Sequence, residues 1–213
     1  NHLLRLRACI SVSVIVGQTK IASCCAVDFE GTIRSSCTKS KAVGCIVKKD
    51  FPSIYRTEWL AEMVGIILGD GALTNTQLRI SLDKKVDREY AVFVSQLMYR
   101  IFHEKPSWTE YENVITLTLS GVGLVEALED LGLQRGNKVA HQVGLPLWVY
   151  SRLTFQKACV RGLMDTDGGV YFHRHKVNGI RYRNFGVSFS NHSLPIIRGV
   201  SRILERQLRD CRV

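Results

Sequence analysis

No C-x-x-C pair occurs anywhere in the chain. Its seven cysteines, Cys9, Cys24, Cys25, Cys37, Cys45, Cys159 and Cys211, form an odd set without short, turn-compatible spacing. Structural zinc needs paired ligands at such spacing, so zinc fingers and ribbons are excluded. The same count argues against a disulfide framework and for reduced thiols in an intracellular protein, cytoplasmic, nucleoid or organellar. Also missing is any run near the ~20 apolar residues of a membrane span, so no membrane partner is expected. Ala8 to Val16, after Arg5 and Arg7, has the look of a signal-peptide core, yet no A-x-A-like cleavage site follows it. Acids are scarce as well: 19 Asp and Glu stand against 29 Lys and Arg, for a formal net charge of +10. That excess favours a polyanionic partner, nucleic acid before acidic membrane.

What is present is ordinary in bulk and unusual in one pattern. The 213 residues are 46% hydrophobic and 23% charged, which suits a globular chain with a sizeable core. Within it, Met63-Val64-Gly65-Ile66-Ile67-Leu68-Gly69-Asp70-Gly71 is echoed by Val160-Arg161-Gly162-Leu163-Met164-Asp165-Thr166-Asp167-Gly168. Aligned, Gly65 falls on Gly162, Gly69 on Thr166, and Asp70-Gly71 on Asp167-Gly168. Two copies of one structural unit are implied. Small residues at i, i+4 let two helices approach closely, so Gly65, Gly69, Gly162 and Thr166 are expected at a helix–helix interface. Two helices so packed bring Asp70 and Asp167 together at one end. Each carboxylate then sits at the negative end of a helix dipole beside a like charge. Divalent cations would relieve the conflict, and two carboxylates with metal and a phosphodiester are what two-metal hydrolysis requires.

The surrounding pattern supplies the rest of each unit. Thr57-Glu58 is a helix start, and apolar Trp59 to Leu68 run at helical density to Gly71, placed as a helix-ending residue. A polar turn at Thr74-Asn75-Thr76 leads to the alternating strand Leu78 to Leu82. Asp87 to Phe102 is an amphipathic helix, Trp108 to Tyr111 and Val114 to Ser120 read as paired strands, and Gly123 to Leu131 is a helix closed by Gly132. Pro146 and Trp148 to Leu153 connect to a second motif helix over Phe155 to Met164. Val170 to His175 and Arg181 to Ser190 form a hairpin turning at Asn178-Gly179, and Ser193 caps a helix with Leu194, Ile197, Val200, Ile203 and Leu204 on one face. The fold class expected is α+β. The divisions are a basic N-terminal extension over 1–56, a first repeat with connector over 57–153, and a second, incomplete repeat over 154–213.

The doubled motif resembles that of the LAGLIDADG homing endonucleases in their two-motif, single-chain form. The resemblance covers roughly residues 57 to 195. It implies tandem αββαββα repeats with the motif helices packed at a pseudo-twofold interface. It also implies sheets that read the DNA major groove, and Mg²⁺-dependent cleavage of a long double-stranded target by a monomer. Carried over position by position, Asp70 and Asp167 become the metal-binding, catalytic acids. Asp165 has no matching acid, Leu68 standing in its place, and is left out. Leu131 to Lys138 resembles the segment that gives the family a basic catalytic residue. Gln134 stands where lysine is expected, which leaves Lys138 or Arg135 as a substitute. The DNA readers would be strand-borne polar residues: Thr76, Gln77, Arg79 and Ser81 in the first half, His173, His175, Arg181, Arg183 and Ser188 in the second.

Rival readings meet specific obstacles. Asp165-Thr166-Asp167-Gly168 cannot start an EF-hand loop, because Leu163 and Lys176 fall where acids are needed. A haloacid-dehalogenase-like nucleophile would follow a buried strand, not a helix. His173 and His175 lack a third zinc ligand, and an intein would need a splicing-type Cys and a His-Asn end. The standing alternative is a non-cleaving nucleic-acid binder on the same fold, an intron RNA maturase or a transcriptional regulator. The second copy lacks room for its second strand pair, so a fragment or a decayed, inactive copy is expected.

Overall fold

The computed structural model describes residues 54–177 and 180–210. The N-terminal extension lies outside the described residues except for its last three, and the turn at Asn178-Gly179 lies wholly outside them. Ile54, within the expected extension, packs against the core. Helix α1 spans Glu58–Gly69. Thr57 caps it by accepting the Leu60 N–H at 3.2 Å, and Glu58 places a negative charge at the positive end of the dipole. Every residue from Leu60 to Leu68 is buried. A helix buried on all sides needs neighbours on all sides, and α1 runs through the middle of the core formed by the described residues.

Strands β1 (Gly71–Leu73), β2 (Gln77–Asp83), β3 (Ser107–Tyr111) and β4 (Val114–Ser120) form an antiparallel sheet in the order β1-β2-β4-β3. Leu78, Ile80 and Leu82 of β2 point inward beside Ile115, Leu117 and Leu119 of β4. Helix α2 (Arg88–Phe102) contacts both strands and buries Val94, Leu97, Met98 and Phe102. At about 1.5–3 kcal/mol for each fully buried large side chain, this layer is the main source of stability in the first half. Helix α3 (Val122–Asp130) ends at Gly132, whose φ of 94° few other residues would tolerate.

The connector leads through a short 3₁₀ helix, Leu147–Ser151, into α4 (Leu153–Asp167), β5 (Gly168–Val177), β6 (Ile180–Phe189) and α5 (Leu194–Asp210). β5 and β6 make a separate two-stranded antiparallel sheet. The molecule is therefore α+β with antiparallel sheets. The element order αββαββα in the first half is followed by αββα in the second.

Two local expectations are corrected by the structure. Gly71 does follow the end of α1, but not because a left-handed residue is needed: it is absent from the residues with positive φ. A Cβ there would lie 2.5 Å from the Cα of Ile67, so close approach is what excludes a side chain. Ser193 does not cap α5 with its hydroxyl, which donates instead to the Val143 carbonyl. Gln142 of the connector takes that part, its Oε1 accepting the Leu194 N–H at 3.0 Å. On α5 the buried face is Ile196, Ile197, Val200 and Ile203, while Leu194 is exposed.

Candidate active site

The motif helices pack along their length, and the contact is close to symmetric. A Cβ on Gly65 would sit 2.2 Å from the Cys159 carbonyl oxygen and 3.0 Å from the Leu163 nitrogen. One on Gly162 would sit 2.3 Å from the Glu62 carbonyl oxygen and 3.0 Å from the Ile66 nitrogen. These are equivalent positions in the two copies, so the sequence repeat is a true pseudo-twofold axis. Four residues on, the symmetry is broken in a complementary way. Gly69 has no side chain, and Thr166 fills the space: a Cβ on Gly69 would be 2.0 Å from the Thr166 hydroxyl. All four expected interface residues are at the interface. On another side of the pair, the Arg161 guanidinium grips the buried Glu62 carboxylate, with Nε to Oε1 at 2.7 Å and a second, shorter bond to Oε2.

Asp70 and Asp167 emerge at the ends of these helices. The main chain repeats itself there too: the Ser81 N–H donates to the Asp70 carbonyl at 3.3 Å, and the Ser190 N–H to the Asp167 carbonyl at 3.2 Å. An Asp167 carboxylate oxygen lies 3.3 Å from where a Cβ on Gly69 would be, one residue from Asp70. Both carboxyls are held above the usual carboxylate range. For Asp70 the causes are burial first, then the charge of Asp167, partly offset by Lys138. For Asp167, burial outweighs the Asn191 hydrogen bond and the charges of Lys138 and His192.

Lys138 reaches the site from the connector, on the far side of α3. Its ammonium donates to the carbonyls of Ile67 at 3.1 Å and Leu68 at 3.0 Å, and to Gly69. These are unsatisfied carbonyls at the negative end of α1, so the amine answers the helix dipole directly. Burial lowers its pKa, with Asp167 and Asp70 pulling the other way. Arg135, the other substitute for the missing lysine, is held by Glu129 at 2.5 Å and takes no part. Asp165 sits in the field of Glu62 and Arg161 instead of the acid pair.

Two further residues, Asn191 and His192, stand at the site without having been expected there from the sequence. Asn191 donates from Nδ2 to the Asp167 Oδ2 at 2.6 Å, which fixes the carboxylate's orientation. It also accepts the Ser193 N–H on Oδ1 at 2.7 Å. His192 follows it, and both line a cleft of about 310 Å³ shared with Gly69, Lys138 and Asp167. The clue was available in Asn191-His192-Ser193 between a strand and a helix, a composition suited to a polar turn. Nothing in that pattern, however, says that the turn meets a helix end from 24 residues earlier.

Of the proposed DNA readers, Gln77, Arg79 and Ser81 share the outer face of the first sheet. They are joined there by Thr116, Thr118 and Ser120 of β4, directly across from them. Arg79 donates to the Gln77 amide oxygen at 2.9 Å from Nε, and Gln77 donates to Ser120 at 3.1 Å. Thr76 lies in the turn before the strand. In the second sheet the expected set divides between two faces. Ser188 pairs with Gly169 on one face, and the backbone register sets His173 opposite Asn184 and His175 opposite Tyr182. Arg183 pairs with Arg174 and Arg181 with Lys176, on the opposite face, where all four side chains are exposed. The His173 and His175 side chains lie outside the described residues.

The acid pair fits a divalent cation on chemical grounds: two half-buried carboxylates repel each other while the nearby amine is engaged by carbonyls. Among the described residues no group of three or more His, Cys, Asp or Glu could hold a metal unaided. A cation at the pair would therefore need phosphate oxygens and water to complete its shell, the usual situation for Mg²⁺.

No family model matches the sequence, and no curated protein matches it. Among solved structures, the chain is similar to mesophilic variants of the homing endonuclease I-DmoI. That match has 15% identity and a TM-score of 0.43, and covers 70% of this chain and 72% of the other. I-DmoI in complex with DNA and Mn matches at 16% identity and a TM-score of 0.43, over 70% of this chain and 77% of the other. A mutant of I-SmaMI matches at 11% and 0.38, over 63% and 66%. Likeness of this degree says nothing about activity, which has to be argued from the side chains.

Proposed function

We propose that the chain is a site-specific, divalent-metal-dependent endonuclease acting on double-stranded DNA. The observation that carries this reading is the juxtaposition of Asp70 and Asp167 at matched ends of two interlocked helices. An arrangement selected for stability alone would not place two half-buried carboxylates at converging negative helix ends. Asp70 and Asp167 would hold Mg²⁺ together with a target phosphate. When bound, the metal would supply a water of lowered pKa and charge for the leaving oxygen. Asn191 holds the Asp167 carboxylate in one orientation, and Lys138 places a positive charge beside the position where a scissile phosphate would lie. The outer face of the first sheet offers Arg79, Gln77 and a row of hydroxyls to the groove, chemistry suited to base edges and phosphates. A monomer suffices, because both acids come from one chain.

The test is cleavage of a DNA library by the full chain in Mg²⁺ and in EDTA, followed by Asp70→Asn and Asp167→Asn on any target recovered. Metal-dependent cutting lost in both variants supports the reading. Binding without cutting by the parent chain in Mg²⁺ would turn it into a non-cleaving binder.

A further inference from the structure

Among the described residues, no helix covers one face of the hairpin β5–β6. Successive cross-strand pairs on it are Val170 with Val187, Phe172 with Phe185, Arg174 with Arg183, and Lys176 with Arg181. The corresponding face of the first sheet is the one packed under α2. Here Phe172 is 56% exposed and Phe185 41%. The two rings meet edge to face at 5.7 Å, and the Arg183 guanidinium lies 4.0 Å from the Phe172 ring centre. Next to the rings, a shallow pocket of about 490 Å³ is lined by Arg174, Lys176, Arg181, Tyr182 and Arg183. The four pairs contain four cations and no acid.

We infer that this exposed face of β5–β6 binds single-stranded nucleic acid, with unpaired bases stacked on Phe172 and Phe185 and the backbone phosphates drawn to Arg174, Lys176, Arg181 and Arg183. Charge decides the occupant. A second copy docked here through the same face would set four cations against four cations, whereas a polyanion is matched to them. Exposed aromatics decide the state of that polyanion. Bases inside a duplex already stack on their neighbours and present only edges, while unpaired bases offer a face to a ring. The site is distinct from the acid pair and does not rest on the nuclease reading.

The full chain is titrated in EDTA, so that no cleavage intervenes, against fluorescein-labelled homopolymers of about 20 nucleotides, oligo(dT) and oligo(U), and against a blunt duplex of equal length. The double variant Phe172→Ala, Phe185→Ala should bind single strands at least tenfold more weakly while its duplex affinity stays within about twofold, the scale expected when stacking is lost. Phe172→Trp should retain single-strand binding, and the indole emission it adds to that of the parent's three tryptophans should be quenched by either homopolymer, unlabelled, but not by duplex. The inference is overturned by unchanged single-strand affinity in the double variant, or by absence of quenching at saturation in Phe172→Trp. A parent dimer that the double variant dissolves without loss of single-strand binding would overturn it too, making the face a protein interface. Failure of all cleavage assays, by contrast, would leave it standing.

Discussion

Asp70 and Asp167 set the balance between function and stability at the residue scale. A carboxyl whose pKa is raised on folding contributes stability below its unfolded pKa, and this is lost as pH rises through the folded one. Both acids are raised, so at neutral pH the ionised pair works against the fold. Two outcomes are expected. Asp70→Asn should abolish cutting, with three decades in rate amounting to about 4 kcal/mol, yet melt at a higher temperature than the parent in EDTA at pH 7. Added Mg²⁺ should then raise the melting temperature of the parent and not that of the variant. Thermal scans with and without metal check both, and a variant that melts lower would contradict the electrostatic account. Cutting by the parent should also decline as pH falls through the raised range of the pair, starting above the pH at which ordinary carboxylates titrate. Lys138→Met removes the amine from three carbonyls of α1, which should cost about 1–2 kcal/mol by denaturant titration as well as activity.

Between elements, the α1–α4 contact has almost no tolerance for added atoms. Gly65→Ala and Gly162→Ala would each drive a methyl group against a carbonyl of the opposite helix, which backbone cannot easily yield. A loss of about 3 kcal/mol or more is expected for each, at or beyond the upper end of the usual range for overpacking. Gly69→Ala differs in kind, because what it meets is the Thr166 side chain. Thr166→Gly should therefore restore much of the stability lost in Gly69→Ala. Denaturant titrations of the two single variants and the double variant give the coupling directly. Additive losses would mean that the two positions do not share the space the structure assigns to them.

For the whole molecule, the net charge of +10 and the polar outer sheet face predict duplex binding that weakens steeply with salt. A log–log slope of about −5 would correspond to about six phosphate contacts. Arg79→Ala should reduce discrimination between sites if the residue meets bases, and only general affinity if it meets phosphate. A slope near zero, measured by anisotropy between low and physiological salt, would remove the sheet face from consideration as a DNA surface.

The repeated Gly65–Gly71 and Gly162–Gly168 patterns carried the architecture in the sequence itself, because close helix packing admits only small residues at fixed places. The same patterns placed Asp70 and Asp167 at one end of the pair, and alternation located β2 and β4 with their buried and exposed faces. Tertiary structure decided the rest of the site. Lys138 and Arg135 are three residues apart and chemically alike, and only the path of the connector sends one amine to α1 and leaves the other side chain with Glu129. Asn191 is ordinary turn chemistry until folding brings that turn against Asp167. The division of Ser188 from Arg181 and Arg183 between two faces follows from strand register, and α5 meets the connector at Leu145 and Tyr150 while Phe172 and Phe185 stay exposed. Long-range contacts of this kind leave no local period in the chain, so they are determined by the fold and by nothing shorter.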